Sequence, residues 1–141
     1  MTTRNDSTRL DLGLAVLRVL VGLVFVAHGG QKLFVFGLHG VQGAFGQMGV
    51  PGAAITGPLT AFVELFGGLA LIAGLLTWLA GLGLAITMLG AIAFVHLSAG
   101  FFAPKGIEFP LTLLAATVAF ALTGAGRFSL DHAIAARRSA R

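Results

Sequence analysis

The sequence predicts an all-α integral membrane protein, a bundle of four transmembrane helices, and three observations support this prediction. Of the 141 residues 57% are apolar and only 10% are charged, whereas a soluble domain has about 25% charged residues. No Asp, Glu, Lys or Arg occurs in residues 33–63 or 65–104. The alternating pattern of membrane β-strands is missing, so helices are expected to cross the bilayer.

Spanning the hydrocarbon takes about 20 apolar residues. The first predicted helix follows a short polar N-terminus without a cleavage site, so we expect it to be retained. The second and third helices are joined almost directly at "LLTWLAG" and are expected to form a tight hairpin. The four predicted spans, in a single domain over residues 1–141, are residues 12–36, 56–76, 78–98 and 109–125.

The segment between the first two spans, residues 37–57, is rich in glycine and predicts a re-entrant or interfacial loop. Its apolar residues Val41, Phe45 and Met48 are expected at the lipid surface. Small residues four apart on the third and fourth helices predict close helix packing. These stripes are Gly83, Thr87 and Ala91, and Ala115, Ala119 and Thr123.

The distribution of basic residues predicts the orientation. The ends carry Arg4, Arg9, Arg127, Arg137, Arg138 and Arg141, whereas the opposite side has only Lys32 and Lys105. The positive-inside rule therefore puts both termini, including a tail over residues 127–141, in the cytoplasm. In a membrane protein the net charge of +4 indicates orientation rather than nucleic-acid binding.

One stripe of the first helix is unusually polar. Arg18, Val21, Phe25, His28 and Lys32 step by three and four residues and share one face. Charged side chains in lipid are costly, so this stripe is expected to face the bundle interior. Arg18 lies alone in the inner half, where it can anchor at the inner interface or pair with Asp131 or a nearby carbonyl.

The remaining polar residues converge at the opposite end. The predicted topology puts one group of ionisable residues in the outer half of the bundle, with Glu64 about two turns from its helix end. These residues are His28, Lys32, Glu64, His96 and Glu108, and we interpret them as a candidate cofactor pocket in which His28 and Glu64 are the candidate catalytic groups. Structural alternatives remain: Lys32 can snorkel, His96 and Glu108 can sit in interfacial water, and Glu64 can form an ion pair with His28 or Lys32.

These residue types suit several kinds of cofactor. A quinone is the first candidate, two histidines could hold a b-type haem, and His28, Glu64, His96 and Glu108 could form a mixed metal site. No Glu-x-x-His pair of the di-iron type occurs, so no metal ligands are assigned, and haem and metal rank below the quinone. The chain has no cysteine, so electrons in any redox reaction must reside on a cofactor, a substrate or a partner.

An ordered set of segments resembles the DoxX family of small bacterial four-helix membrane proteins. The segments are "LRVLVGLVFVAHGGQKLF", "AFVELFGGLALIAGLLT", "VHLSAGFF", "KGIEFPLTLL" and "GAGRFSLDHAI". The resemblance implies a multi-pass protein of the bacterial cytoplasmic membrane that is linked to redox and sulfur metabolism. It also implies similarity to DoxD-type subunits of thiosulfate:quinone oxidoreductases. In the last segment, Gly124 and Gly126 are expected to end the fourth helix and Ser129 to cap a short C-terminal helix.

Three functions follow as hypotheses. The first is a redox-linked membrane subunit, with soluble or membrane partner proteins, whose pocket has walls of Phe25, Phe66, Phe94, Phe101 and Phe102. The second is a non-catalytic membrane anchor or assembly scaffold. The third is a small-molecule or proton pathway, which homo-oligomerisation could complete.

Overall fold

The computed structural model describes residues 3–140, and side chains from residue 6 onward. Arg4 and Arg141, which the orientation prediction uses, are therefore outside the part of the chain whose side chains the structure describes. All regular structure in the described part is helical. The helices are α1 (Thr3–Gly30), α2 (Gly37–Gln47), α3 (Ala53–Ala73), α4 (Thr77–Ala91), α5 (Glu108–Thr123) and α6 (Leu130–Ser139), with π-helical segments at Gln31–Phe36 and Ile92–His96 and a 3₁₀ turn at Leu97–Ala99.

Three helical segments of the described chain are long and apolar enough to cross a membrane. They are Asp6–Gln47, Ala53–Ala73 and Thr77–Ala99, and the shorter apolar helix α5 completes the bundle. Large apolar side chains cover the outside, as on Leu20, Phe66 and Ile86, because lipid rather than water surrounds them. The all-α membrane fold is confirmed, and the protein is a multi-pass membrane protein.

The predicted loop after the first span is wrong over residues 37–47, which form helix α2. Gly37 has φ +69° and ψ 164°, a conformation open essentially only to glycine, so the chain turns there and α2 packs along α3. Val41 is buried against Gly57 instead of facing lipid. Gln42 donates from Nε2 to the carbonyl of Ala54 at 2.9 Å. The glycine content of this segment predicts a loop, but these tertiary contacts stabilise a helix instead.

Close packing depends on glycines other than those in the predicted stripes. A Cβ added to Gly68 on α3 would lie 2.7 Å from the carbonyl oxygen of Gly22 on α1. A Cβ on Gly81 of α4 would lie 2.7 Å from the carbonyl oxygen of Thr117 on α5. The helix pairs α1/α3 and α4/α5 therefore touch backbone to backbone. In contrast, Ala115 of the predicted α5 stripe is exposed.

Arg18 ties the segment after α5 to the bundle. Its guanidinium is buried and donates to the carbonyl of Phe128 at 2.7 Å and to that of Ala125 at 3.3 Å. The expected carbonyl partners are thus confirmed. The Arg18 side chain crosses directly over Gly74, where any Cβ would collide with it, so the turn between α3 and α4 needs glycine at this position.

Helix α6 is docked on the same turn by Asp131. Its carboxylate accepts hydrogen bonds from the backbone N–H of Leu76 at 2.8 Å and of Thr77 at 3.0 Å, which caps α4. Ser129 accepts from the N–H of His132 at 3.1 Å, so the predicted cap of α6 is confirmed. Gly124 ends α5 at φ +73°, also as expected. The start of α6 is therefore held at the α3–α4 end of the bundle.

Candidate functional site

An ion pair between Lys32 and Glu64 joins the first π-helical segment to α3. Lys32 Nζ donates to Glu64 Oε2, and the two side chains are only 19% and 5% exposed. Glu64 lies eleven residues after Ala53, the first residue of α3, which corresponds to about 16 Å along the helix. The carboxylate is therefore near the middle of the span, deeper than expected, and the lysine partner explains how it is tolerated there.

His28 does not share the inward face that the sequence predicted. The ring is exposed, its Nδ1 lies 3.0 Å from the carbonyl oxygen of Val24, and its centroid lies 5.9 Å from that of Phe109. The neighbouring residue Gly29 occupies the contact with α3 instead, and successive residues of a helix point about 100° apart. The wider π turn that follows brings Lys32 back toward α3.

Lys32, Glu64 and His96 line one cavity of about 670 Å³ between α3, α4 and the turn that precedes α3. Its other walls are mainly apolar. Three of its lining residues, Leu59, Ile86 and Phe94, are exposed, so the cavity is open rather than enclosed. These residues belong to segments long and apolar enough to span the membrane, so we interpret the opening as lateral, toward the region that lipid occupies. The further lining residues are Phe45, Met48, Val50, Pro51, Thr56, Thr60, Val63, Gly83, Thr87, Gly90, Ala91 and Val95.

Both π-helical segments deliver a polar side chain to this cavity. Lys32 belongs to Gln31–Phe36 and His96 to Ile92–His96. Such segments are rare and occur often at functional sites, because they re-aim side chains that a regular helix would place elsewhere. The periodicity of the sequence did not indicate either segment.

The tautomer of the neutral His96 ring follows from its partner. Nδ1 lies 2.7 Å from the carbonyl oxygen of Lys105, and a carbonyl can only accept, so Nδ1 carries the proton. In the neutral ring Nε2 is then a hydrogen-bond acceptor and a candidate base. The loop before α5 thus sets the tautomer of a cavity histidine.

Glu108 lies outside the cavity lining. Its Oε1 accepts from the N–H of Ala103 at 2.8 Å, which closes the loop before α5. Of the five predicted pocket residues, the structure therefore brings Lys32, Glu64 and His96 to one cavity and leaves His28 and Glu108 apart.

The metal and haem alternatives do not fit this arrangement. Within the described residues no three His, Asp or Glu side chains form a group that could hold a metal ion, which removes the mixed site proposed from His28, Glu64, His96 and Glu108. A haem held between His28 and His96 is not supported either, because His28 does not line the cavity that His96 faces.

The predicted aromatic walls are correct only for Phe94. Phe25 is buried in the core, Phe66 stacks on Phe62 at the outer surface, and Phe101 packs edge to face on Phe102. Phe45 also lines the cavity, although the glycine-rich sequence of residues 37–57 predicts a loop with Phe45 at the lipid surface. The residues at the end of α2 and in the following turn instead close one side of the cavity.

These features define a class: a helical multi-pass membrane protein with an ion pair and a histidine at a cavity open to the bilayer. The chain belongs to the DoxX family, whose model, described as "DoxX", matches residues 13–97.

Relatives from several bacteria match most of the chain. It is 36% identical to "Putative oxidoreductase CatD" of Bacillus subtilis (strain 168), over 86% of either protein. It is 34% identical to "Uncharacterized membrane protein Rv3486" of Mycobacterium tuberculosis, over 88% of this chain and 82% of the relative. It is 33% identical to "Inner membrane protein YqjF" of Escherichia coli, over 86% of this chain and 92% of the relative. No solved structure matches significantly.

Proposed function

We propose that this DoxX-family protein binds the headgroup of a quinone in its lateral cavity and acts as a membrane subunit of a redox system. The observation that carries the proposal is the combination of apolar walls, an opening toward lipid, and the Lys32–Glu64 pair with His96 as ionisable groups. A quinone is a planar apolar ring with two carbonyl oxygens and a lipid-soluble tail. It would enter from the bilayer, and polar groups would orient its ring.

The polar groups of the cavity suit the two requirements of quinone reduction, which are charge stabilisation and proton transfer at the ring oxygens. A quinone takes up two electrons and two protons to become a quinol. The Lys32 ammonium would donate to a carbonyl oxygen and stabilise the negative charge that develops there. His96, once protonated at Nε2, would pass one proton to a ring oxygen, and water would supply the second proton and reprotonate His96. Glu64 would hold Lys32 in position and keep the empty site neutral.

The chain has no cysteine for a redox-active disulfide or a thiolate-bound centre. We propose a partner protein as the source of the electrons. The relative CatD is named an oxidoreductase, which supports a redox role at family level. The E. coli relative is named an inner membrane protein, which supports the bacterial cytoplasmic membrane as the location. The arginine-rich ends support an orientation with both termini inside. The tail over residues 127–141 would then be available to the partner.

A scaffold function is the second candidate, and one observation favours it. Arg18 and Asp131 hold α6 firmly on the bundle, an arrangement that would present a fixed surface to partner proteins. In that case the Lys32–Glu64 pair would only stabilise the fold, and the cavity would hold ordinary lipid.

Filling the cavity separates the two candidates. Gly90 lines the cavity, and a Cβ added there meets nothing within 4 Å, so Gly90→Phe adds bulk to the cavity without a backbone clash. Gly13, in α1, has the same freedom and lies away from the cavity, which makes Gly13→Phe the matched control. The protein is purified in detergent and its organic extract is analysed by mass spectrometry.

We expect wild type and Gly13→Phe to retain about one quinone per chain and Gly90→Phe to lose it. Added quinone should restore occupancy in wild type but not in Gly90→Phe. If wild type fails to bind quinone even in saturating excess, or if Gly90→Phe binds it equally well, the quinone proposal is wrong.

A further inference from the structure

A second, smaller cavity of about 450 Å³ lies between α6 and the turn that joins α3 to α4. It is lined by Leu75, Leu76, Asp131, Ile134, Ala135, Arg138 and Ser139. We call it the tail groove. It lies beyond the C-terminal end of α3 and shares no lining residue with the larger cavity, and the quinone proposal does not use it.

One face of α6 forms the tail groove. The other α6 residues in the lining follow Asp131 by three, four, seven and eight positions, which is the spacing of a single helix face. They are Ile134, Ala135, Arg138 and Ser139. The opposite wall is the apolar turn with Leu75 and Leu76. Arg137 is absent from the lining, because it points about 100° away from Arg138.

The height of the tail groove relative to the bilayer follows from the hairpin. Helices α3 and α4 belong to two membrane-spanning segments, so the short turn between them lies at a membrane surface. Trp78, next to this turn, is exposed, as is typical of tryptophan at the lipid headgroup level. Asp131 docks α6 on the same turn, so the tail groove lies among the headgroups.

Two charged groups line the tail groove, the Arg138 guanidinium and the Asp131 carboxylate. Both carboxylate oxygens of Asp131 are occupied by the backbone N–H groups of Leu76 and Thr77. In the described part of the chain no carboxylate lies within ion-pair distance of Arg138. An apolar wall beneath a free guanidinium matches an amphiphile with an anionic head, whose phosphate accepts from arginine in a paired geometry.

We infer that the tail groove is a binding site for an anionic phospholipid, whose phosphate contacts Arg138 while its glycerol and upper acyl chains lie against Leu75, Leu76 and Ile134. The site would select anionic over zwitterionic lipid. A basic residue near a membrane surface contributes about a fivefold increase in affinity for anionic lipid, and a formed groove adds shape selectivity to that attraction.

The test uses the full chain in nanodiscs or detergent with defined lipids. Retention of phosphatidylglycerol and of phosphatidylcholine is measured by native mass spectrometry for wild type, Arg138→Gln and Arg137→Gln. The two variants remove the same charge from adjacent exposed positions, and only Arg138 lines the groove. Ala135→Phe, which fills the groove and keeps every charge, is the fourth protein.

We expect wild type and Arg137→Gln to retain phosphatidylglycerol about fivefold better than phosphatidylcholine. Arg138→Gln and Ala135→Phe should lose this preference. Equal losses in Arg137→Gln and Arg138→Gln would show diffuse surface charge and overturn the site, as would unchanged retention in Ala135→Phe. Equal retention of both lipids by wild type would also overturn it. Thermal unfolding without added lipid checks that each variant is folded.

Discussion

Lys32 and Glu64 face each other across the contact between the first span and α3, and Lys32 donates a hydrogen bond to the carboxylate. The pair lies close to the middle of α3 and at the wall of the large cavity. Neither side chain would be stable alone in this environment, because a charge without a partner is costly inside a membrane protein. The pair is therefore both a structural link and the polar end of the proposed quinone site.

We predict that Lys32→Met destabilises the protein by roughly 3 kcal/mol, because it leaves a buried carboxylate without its partner. Glu64→Gln should cost less, since Lys32 is more exposed than Glu64 and can reach toward polar surroundings. The double variant Lys32→Met/Glu64→Gln should recover most of the loss. Thermal unfolding in one detergent measures all three. Additive losses in the double variant would argue against a coupled pair.

We predict that Gly68→Ala destabilises the bundle by about 2 kcal/mol, the usual cost of overpacking. The new Cβ would lie 2.7 Å from the carbonyl oxygen of Gly22 and 2.8 Å from the backbone nitrogen of Val26, so α1 and α3 would have to separate. Gly13→Ala is the control, because its Cβ meets nothing and alanine is the better helix former. Equal melting temperatures for the two variants would contradict this packing.

We predict that Asp131→Ala frees α6 and costs about 1–2 kcal/mol, the usual contribution of a helix cap. The backbone N–H groups of Leu76 and Thr77 would lose their acceptor. Limited trypsin digestion should then cut after Arg127 several times faster than in wild type. His132→Ala, at an exposed position of the same helix, should keep the wild-type rate. A tail that is cleaved equally fast in both variants would show that Asp131 does not dock it.

We predict that Ser139→Cys is labelled by a membrane-impermeant maleimide only after the cells are opened, whereas Lys105→Cys is labelled in intact cells. The chain has no cysteine of its own, so each variant carries a single reporter. Both residues are exposed. This pattern follows from the arginine-rich termini. The reverse labelling pattern would put the termini outside.

Hydropathy and local hydrogen bonding made much of the fold predictable. Long charge-free runs predicted the membrane helices, and the Gly124 terminus and Ser129 cap were found because such signals act within a few residues. The need of Glu64 for a partner was also predictable, since the cost of a lone charge in lipid does not depend on fold details.

Hydropathy and local patterns do not predict which side chains contact each other. A regular helical period puts His28 and Lys32 on one face, but Gly29 packs on α3 and a π turn re-aims Lys32, so only the lysine reaches Glu64. Helix α2 was missed for a similar reason. Its glycines resemble a loop until Val41 is buried against Gly57.

The sequence by itself determined that this protein is a membrane-embedded helical bundle, because the hydrophobic effect and backbone hydrogen bonding in lipid leave few other solutions. Only the tertiary structure decided that Lys32, Glu64 and His96 line one cavity while His28 and Glu108 do not. That outcome depends on where glycines let two helices touch and where a helix widens to a π turn. Both are set by the neighbouring helix, which local sequence patterns do not encode.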